Sequence, residues 1–184
     1  MTSLKGRLLI AAPSLRTPFF ERTVILMLEH SETGAMGLVL NRETDASVSD
    51  IAEQALDESL PWDKPLSLGG PVPGPLMVLH TRAELSDAEV IPGLYSSVDA
   101  EKVRALLRDL AEPSRVVVNY AGWGPGQLEN EIKEESWLSC PAAAEFVFWA
   151  GNDDLWHAAL REVSSNNLTK VLGLKEIPSD PTWN

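Results

Sequence analysis

The most strongly apolar part of the chain spans residues 8–42 and predicts three β-strands. Residues 8–12 are all apolar, and residues 23–29 contain five consecutive apolar residues. Such runs are typical of strands buried on both faces, although a buried turn of helix gives the same pattern. The polar loop 31–34 and the apolar run 36–40 favour a β-hairpin that begins with the second of these strands.

This hairpin carries polar side chains at both of its ends. Pairing across the loop sets His30 opposite Ala35, so Glu29 and His30 lie at the loop end. Asn41 and Arg42 follow the second strand and lie at the other end, about 20 Å away at roughly 3.3 Å per residue. The two pairs are therefore separate candidate binding positions and not one catalytic cluster.

The rest of the chain mixes strands and helices without a regular alternation. Short apolar runs predict strands. Amphipathic periodicity in the segments that begin at Ser47, Asp99 and Asp153 predicts helices. The predicted strands are 66–68, 76–80, 90–95, 115–120 and 137–140, and the predicted helices are 47–56, 99–110, 130–135 and 153–163. This order favours the α+β class, with a single domain over residues 1–165, a mixed and mostly antiparallel β-sheet, and a C-terminal tail over 166–184.

An excess of acidic residues gives the chain a formal net charge of −12 and a sequence pI near 4.6. Nucleic-acid phosphates are bound by clustered Lys and Arg, and anionic lipid surfaces attract the same basic clusters. The sequence contains no run of basic residues. Its composition therefore argues against direct nucleic-acid binding and against association with an anionic membrane.

Cys140 is the only cysteine, so the chain forms no internal disulfide. The apolar run after Lys5 and Arg7 is too short for a secretory signal, and no segment approaches the ~20 apolar residues of a membrane span. These features predict a cytoplasmic protein. Cys140 has no base partner in the sequence, which favours an inert buried thiol over a catalytic nucleophile.

Two glycine-rich segments have unusual local sequences. Residues 69–75 contain only Gly, Pro and one Val, which predicts a rigid loop, either a simple turn or an element that presents backbone N–H groups to a ligand. Residues 122–129 read GWGPGQLE and predict either an anion-binding helix N-terminus or a structural turn with a buried tryptophan. The candidate binding residues in the two segments are Gly69, Gly70, Gly122, Trp123, Gly124, Gln127 and Glu129.

The chain contains three histidines, His30, His80 and His157. His30 and His80 each follow an apolar strand and could share a sheet edge near Glu29. The histidines are not spaced as metal ligands, so we predict no metal site and no cofactor. No serine lies in a Gly-x-Ser-x-Gly elbow, and the sequence assigns no catalytic residue.

Two blocks of sequence together resemble the AlgH/YqgE family. Residues 6–42 include GRLLIAAPSL, ERTVILMLEH and GAMGLVLNR, and residues 120–132 read YAGWGPGQLENEI. The motifs at 69–71 and 91–95 follow the family's order, so the resemblance covers nearly the whole chain. The sequence departs from the family at Pro-Gly-Pro, residues 73–75, where similar sequences usually carry polar residues.

This resemblance implies a bacterial cytoplasmic protein with a barrel-like β-sheet surrounded by helices and with no established function. Some members of the family are labelled transcriptional regulators. The present sequence supplies no helix-turn-helix pattern with a basic recognition helix, so it gives that label no physical support.

Three functional hypotheses remain open. The missing catalytic constellation favours a non-enzymatic binding or interaction protein, with an unknown protein or small-molecule partner, whose surface comprises the two glycine-rich segments, Glu29, His30, Asn41 and Arg42. The alternative is a hydrolase or transferase with a site assembled from His30, Glu29, His80, Gln127 and Glu129. The third is a regulator that reaches transcription through protein contacts and not through DNA.

Overall fold

The computed structural model describes residues 3–56, 60, 64–109, 113–149 and 152–172. The strands in this part of the chain are β1 (Arg7–Ala11), β2 (Val24–Ser31), β3 (Gly34–Val39), β4 (Glu43–Ser47), β5 (Pro65–Leu68), β6 (Val72–His80), β7 (Ala88–Ile91), β8 (Leu94–Ser97), β9 (Arg115–Trp123) and β10 (Trp137–Pro141). The helices are α1 (Val48–Leu56), α2 (Ala100–Arg108), α3 (Gln127–Lys133), α4 (Ala144–Val147) and α5 (Asn152–Leu172).

Eight strands form one curled sheet in the order β10-β1-β2-β3-β9-β6-β8-β7, in which all neighbours are antiparallel. The short strands β4 and β5 pair with each other, and β5 also runs parallel to β9. The sheet bends into a half-barrel until β7 reaches the start of β1, where a Cβ on Gly6 would lie 2.9 Å from Ile91 Cγ2. The predicted α+β domain with a mixed, mostly antiparallel, barrel-like sheet is confirmed.

Strands β1 and β2 are buried on both faces, as their apolar runs predict. Successive side chains of β1 enter different cores, with Leu8 and Ile10 on one face of the sheet and Leu9 on the other. Helix α5 covers the first face with Leu155 and its neighbours, and α3 covers the second face with Leu128. A strand covered on both sides cannot alternate apolar and polar residues, which explains the continuous run in the sequence.

The caps predicted at Ser47 and Asp99 are present, whereas α5 begins at Asn152, one residue before the predicted start at Asp153. Ser47 N–H donates to Asp50 Oδ2 at 2.9 Å, and Asp50 N–H donates to Ser47 Oγ at 3.2 Å, which forms a capping box at the start of α1. Asp99 Oδ1 accepts hydrogen bonds from the N–H groups of Glu101 and Lys102 at the start of α2. Local sequence therefore determines where both helices begin.

The β2–β3 hairpin has the predicted register at its loop end, with His30 opposite Ala35. The register shifts between Met27 and Glu29, so the hairpin contains a β-bulge. Gly37 lies beside this bulge, where a Cβ would come within 2.7 Å of Ile25 Cγ2. A bulge increases the local twist of a sheet and so contributes to its curl.

The interpretation of residues 69–75 as one rigid loop is wrong, because β6 begins at Val72. The strand accommodates two prolines at a β-bulge, since its register with β9 shifts between Val72 and Leu76. Opposite this bulge, Asn119 has a φ of 64°, and its Oδ1 accepts a hydrogen bond from Gly74 N–H at 3.2 Å. The prolines therefore lie where their missing N–H groups are not needed for strand pairing.

Other predicted boundaries also shift. Strand β9 extends from the predicted residue 120 to Trp123, because its second half pairs with β3. The predicted strand 90–95 is a hairpin of β7 and β8. Helix α5 continues to Leu172, beyond the predicted start of the C-terminal tail at residue 166. Residues 173–184 lie outside the described residues, so the tail and the domain boundary remain predictions.

Half-buried Arg115 ties several elements together at the start of β9. Its Nε and Nη2 donate to the carbonyl oxygens of Val147 and Trp149 at 2.8 Å, near the C-terminal end of α4. Its Nη1 donates to the Leu40 carbonyl at 2.8 Å and to Ser67 Oγ at 3.2 Å. Burial lowers the pKa of this guanidinium, which is held by uncharged oxygen atoms.

Candidate functional site

The imidazole of His30 is fixed by a partner on each ring nitrogen. Leu4 N–H donates to Nδ1 at 3.0 Å, so the remaining proton is on Nε2, which donates to Glu129 Oε1 at 3.1 Å. The His30 side chain is only 3% exposed. It links the N-terminal segment and α3 to β2, and neither nitrogen is available to a substrate.

His80 is held in the same manner, far from His30. Arg82 N–H donates to its Nδ1 at 3.1 Å, and its Nε2 lies 2.9 Å from Ser97 Oγ, which in turn donates to the Leu85 carbonyl. Ala35, opposite His30, pairs with Trp123 at the end of β9, and Leu79, next to His80, pairs with Arg115 at its start. The two histidines are therefore more than eight residues apart in the register, which is more than about 25 Å along the strand. The prediction that the two histidines share a sheet edge is therefore wrong.

Acidification is expected to destabilise the fold through His80. Burial and the positive charge of Arg82 lower the pKa of this imidazole, against the opposing influence of Glu84 and Asp87. The native pKa lies below the unfolded value of about 6.5, so the unfolded chain binds more protons between the two values. This contribution to stability is complete above about pH 6.5 and is lost as the pH falls toward the native pKa.

Urea unfolding of the wild type and of His80→Gln between pH 8 and pH 5 measures this contribution. The difference in unfolding free energy between the two proteins should shrink as the pH falls below about 6.5. The other two histidines are present in both proteins, so their effects cancel in this difference. A difference that is constant across the whole pH range would contradict the expected titration.

The glycine-rich turn at residues 122–129 is organised around Glu131. One oxygen of this carboxylate, Oε2, accepts hydrogen bonds from the indole N–H groups of Trp123 at 2.9 Å and Trp137 at 2.8 Å. The other oxygen accepts from Gln127 Nε2 at 2.9 Å, and Gln127 Oε1 accepts from Gly124 N–H at 3.1 Å. Trp123 is 7% exposed. This geometry matches the structural-turn interpretation, with Trp123 as the buried plug.

Gly69 and Gly70 lie where β3 and β9 separate. Gly69 N–H donates to the Val118 carbonyl on β9, and its own carbonyl accepts from Val39 N–H, both at 2.8 Å. A Cβ on Gly69 would lie 2.4 Å from the Asn119 carbonyl oxygen, and a Cβ on Gly70 would lie 2.0 Å from the Tyr120 carbonyl carbon. Both glycines are therefore needed for backbone packing, whatever else this segment does.

A cavity of about 420 Å³ lies between the end of β2, the β7–β8 hairpin and Lys5. It lies above the core inside the half-barrel, at the seam where β7 approaches β1. Its wall is largely apolar and includes Leu28, Met36, Met77, Val90, Val98 and Tyr120. Mouths of barrels with such linings are common positions for small-molecule sites. We refer to it as the seam cavity.

Three charged residues line the seam cavity. Asp87 is fully engaged, because its carboxylate contacts Lys102 Nζ at 2.6 Å and the N–H groups of Val98 and Asp99 at 2.7 and 2.8 Å. The Lys102 contact and these two N–H groups lower the pKa of Asp87 to about 2. Lys5 and Glu29, in contrast, show no side-chain hydrogen bond or ion pair to any described residue. Their charges are the ones available to a ligand.

The twelve residues that the sequence offers as binding candidates do not form one site. Glu29 lines the seam cavity, while Asn41 and Arg42 line a second cavity at the other end of the hairpin. Gly122 pairs with Met36 on β3. The structural contacts described above involve the remaining candidates, which are His30, Gly69, Gly70, His80, Trp123, Gly124, Gln127 and Glu129. No sequence motif predicts the apolar residues of the seam cavity, because they come from five separate strands and from Val98, which follows β8.

Cys140 is buried, as the sequence predicts, and burial and the nearby Glu162 carboxylate raise the pKa of its thiol. Among the described residues, no three His, Cys, Asp or Glu side chains converge as a metal ion would require. No helix in the described part of the chain is both long enough and apolar enough to cross a membrane.

Comparison with known proteins finds similar sequences that match most of this chain. A family model described as AlgH-like matches residues 8–167. A UPF0301 protein from Myxococcus xanthus is 40% identical over 177 residues, which cover 94% of this chain and 98% of the relative. A UPF0301 protein from Chlorobaculum tepidum is 40% identical over 162 residues, which cover 85% of this chain and 84% of the relative.

Two solved structures have the same fold. The solution structure of AlgH from Pseudomonas aeruginosa has a TM-score of 0.75 at 30% identity and covers 96% of this chain and 97% of its own. The crystal structure of a protein from Corynebacterium diphtheriae has a TM-score of 0.70 at 27% identity and covers 85% of each chain.

Proposed function

The chain belongs to the AlgH-like family, and we propose that it is a non-enzymatic binding protein whose ligand is a small, largely apolar molecule held in the seam cavity. The observation that carries the proposal is the cavity itself, an apolar pocket of about 420 Å³ at the mouth of a half-barrel. It deepens the sequence-based hypothesis of a binding module and moves the binding surface away from the glycine-rich segments.

The lining of the cavity suits a flat or flexible apolar group. Two methionine side chains, Met36 and Met77, adapt to irregular ligand shapes, and the Tyr120 ring offers an aromatic face. Lys5 and Glu29, which are both exposed, also line the cavity. A ligand with one polar end would therefore bury its apolar part against the methionines and direct its polar end to these charges.

A hydrolase or transferase is less well supported. The required cluster of His30, His80 and Glu129 is split, with His80 at the opposite end of β9. Both ring nitrogens of each histidine already have partners, so neither ring is poised to take a proton from a substrate. The raised thiol pKa and burial of Cys140 make it a poor nucleophile.

A regulatory role without direct DNA contact is compatible with a ligand-binding module. The net charge of −12 opposes binding to phosphates, so any effect on transcription would pass through a protein partner in the cytoplasm. Filling the seam cavity would bridge the N-terminal segment and the β7–β8 hairpin, which gives a ligand a physical means of changing that surface.

Binding of the fluorescent apolar probe N-phenyl-1-naphthylamine tests the proposal. We expect saturable binding of one probe per chain, and at least tenfold weaker binding to Ala88→Phe, because the new ring would occupy the cavity. Ala88 is exposed on β7 and lines the cavity, so the substitution places the ring there without disturbing the core. The matched control is Ala83→Phe, an exposed alanine that does not line the cavity and should leave binding unchanged.

Two outcomes would contradict the proposed site. Equal binding by the two phenylalanine variants would indicate adhesion to some other apolar surface. Absence of saturable binding by the wild type, for this probe and for a panel of fatty acids and aromatic carboxylic acids, would indicate that the seam cavity is not a ligand site.

A further inference from the structure

A second cavity, of about 700 Å³, lies at the other end of the β2–β3 hairpin. It is lined by the turn before β2, by the residues that follow β3, and by the first turns of α5. Its wall contains two arginines, Arg22 and Arg42, together with the rings of Trp156 and His157. We refer to it as the arginine cavity.

The backbone at Arg22 is held in an unusual conformation. Its φ is 55°, a left-handed value that is rare for a residue with a long side chain. Asn41, which is 3% exposed, stabilises this turn, because its Nδ2 donates to the Arg22 carbonyl at 2.8 Å and its Oδ1 accepts from Val24 N–H at 2.9 Å. Asn41, a binding candidate predicted from the sequence, therefore holds the backbone that positions Arg22.

The Arg22 guanidinium lies over the indole of Trp156, with Cζ 5.7 Å from the ring centroid. The indole is itself fixed, since Trp156 is 7% exposed and its Nε1 donates to the Ala11 carbonyl at 2.8 Å. Stacking on an aromatic ring leaves the in-plane N–H groups of a guanidinium free to bind an anion. Arg22 donates no side-chain hydrogen bond to any described residue.

Arg42 is fixed by backbone carbonyls and not by a carboxylate. Its Nη2 donates to the Glu21 carbonyl at 2.6 Å, and its Nη1 lies 3.5 Å from the Asn41 carbonyl. Neither Arg42 nor Arg22 forms an ion pair within the described part of the chain. In a chain of net charge −12, two neighbouring guanidiniums without a carboxylate partner are an unusual feature.

Two carboxylates also line the arginine cavity. The Glu21 carboxylate is engaged by Arg16, with Nη1 and Oε1 2.9 Å apart, which balances its charge. The other, Asp154, is exposed in the first turn of α5. The arginine pair therefore faces one neutralised and one solvated acidic group, which does not cancel its attraction for a compact dianion.

We propose that the arginine cavity binds the phosphate group of a small phosphorylated molecule. A planar guanidinium donates two parallel hydrogen bonds to phosphate oxygens, and two guanidiniums fixed by Trp156 and by backbone carbonyls provide such donors with little loss of side-chain entropy. The size of the cavity leaves room for a further uncharged group next to the His157 ring. This site is independent of the seam cavity.

Isothermal titration with inorganic phosphate and with methyl phosphate, at pH 8 and constant ionic strength, tests the proposal. We expect saturable binding by the wild type and at least tenfold weaker binding by Arg22→Asn and by Arg42→Gln. Asparagine tolerates the left-handed backbone, so the first variant removes the guanidinium while the turn is retained. Arg104→Gln removes the same charge from the exposed Arg104–Glu101 pair on α2 and should bind phosphate as the wild type does.

The set of variants separates the possible results. Loss of binding in the two cavity variants alone, with unchanged urea midpoints, supports the site. Equal weakening in Arg104→Gln would show that phosphate responds only to overall charge, and no saturable binding by the wild type to either probe would remove the proposal. A cavity variant with a lowered urea midpoint is replaced by Arg22→Gly, which also tolerates the left-handed backbone, or by Arg42→Met. Both replacements remove the guanidinium, so the same criteria apply.

Discussion

Replacement of Gly70 by alanine should destabilise the protein by more than about 3 kcal/mol, or prevent folding altogether. A Cβ at this position would lie 2.0 to 2.2 Å from the carbonyl carbon and oxygen of Tyr120 and from Ala121 N. These are backbone atoms of β9, the strand on which β3, β5 and β6 all pair, so no side-chain rotation relieves the collision. Urea unfolding followed by tryptophan fluorescence measures the loss.

Gly124→Ala is the matched control, because a Cβ on Gly124 would have no neighbour closer than 4.0 Å. We expect this variant to unfold within about 0.5 kcal/mol of the wild type. Since both glycines belong to segments that look equally conspicuous in the sequence, a similar cost for the two substitutions would contradict the close approach of residue 70 to β9.

Arg115→Met should destabilise the fold by about 2–4 kcal/mol, as estimated from charged hydrogen bonds that are partly screened by solvent. The side chain makes four hydrogen bonds, to three backbone carbonyls and to Ser67 Oγ. Methionine fills a similar volume but donates nothing, so the Leu40, Val147 and Trp149 carbonyls lose their charged donor. Urea titration at neutral pH measures the change.

Arg115→Lys distinguishes geometry from charge. Lysine retains the positive charge, but a single ammonium group cannot reach the distinct acceptors that the planar guanidinium serves. We expect Arg115→Lys to recover less than half of the stability that methionine loses. Full recovery would show that charge and not the fork of donors holds α4 against β9.

The hydrophobic pattern predicts the centre of the fold well, since burial on both faces gives β1 and β2 their continuous apolar runs. The starts of α1 and α2 can also be predicted from the sequence. Ser47 and Asp99 cap these helices through hydrogen bonds with residues two or three positions later. The prolines of β6 predict a loop, but the strand accommodates them at a bulge. That bulge depends on Asn119, which lies 45 positions from Gly74 in the sequence. The sequence pattern shows local constraints, but it does not show contacts between residues that are distant along the chain.

The same contrast between local motifs and distant contacts holds for the candidate site. The contacts of the conspicuous motif GWGPGQLE are structural and converge on Glu131, which lies outside the motif. The seam cavity depends on the curl of the sheet, which brings the β7–β8 hairpin beside Lys5 and Glu29. Its methionines belong to or pack against the core, so only the three-dimensional arrangement shows that they also line a cavity.

The most direct test of ligand binding in the seam cavity is a methyl NMR titration with N-phenyl-1-naphthylamine. Labelled methionine methyl groups report on Met36 and Met77 in the cavity wall and on Met27, which is fully buried in the core on the opposite face of β2. We expect saturable shifts and probe contacts at Met36 and Met77, with Met27 unmoved. Shifts confined to other parts of the molecule, or none at any methionine, would contradict the proposed binding site.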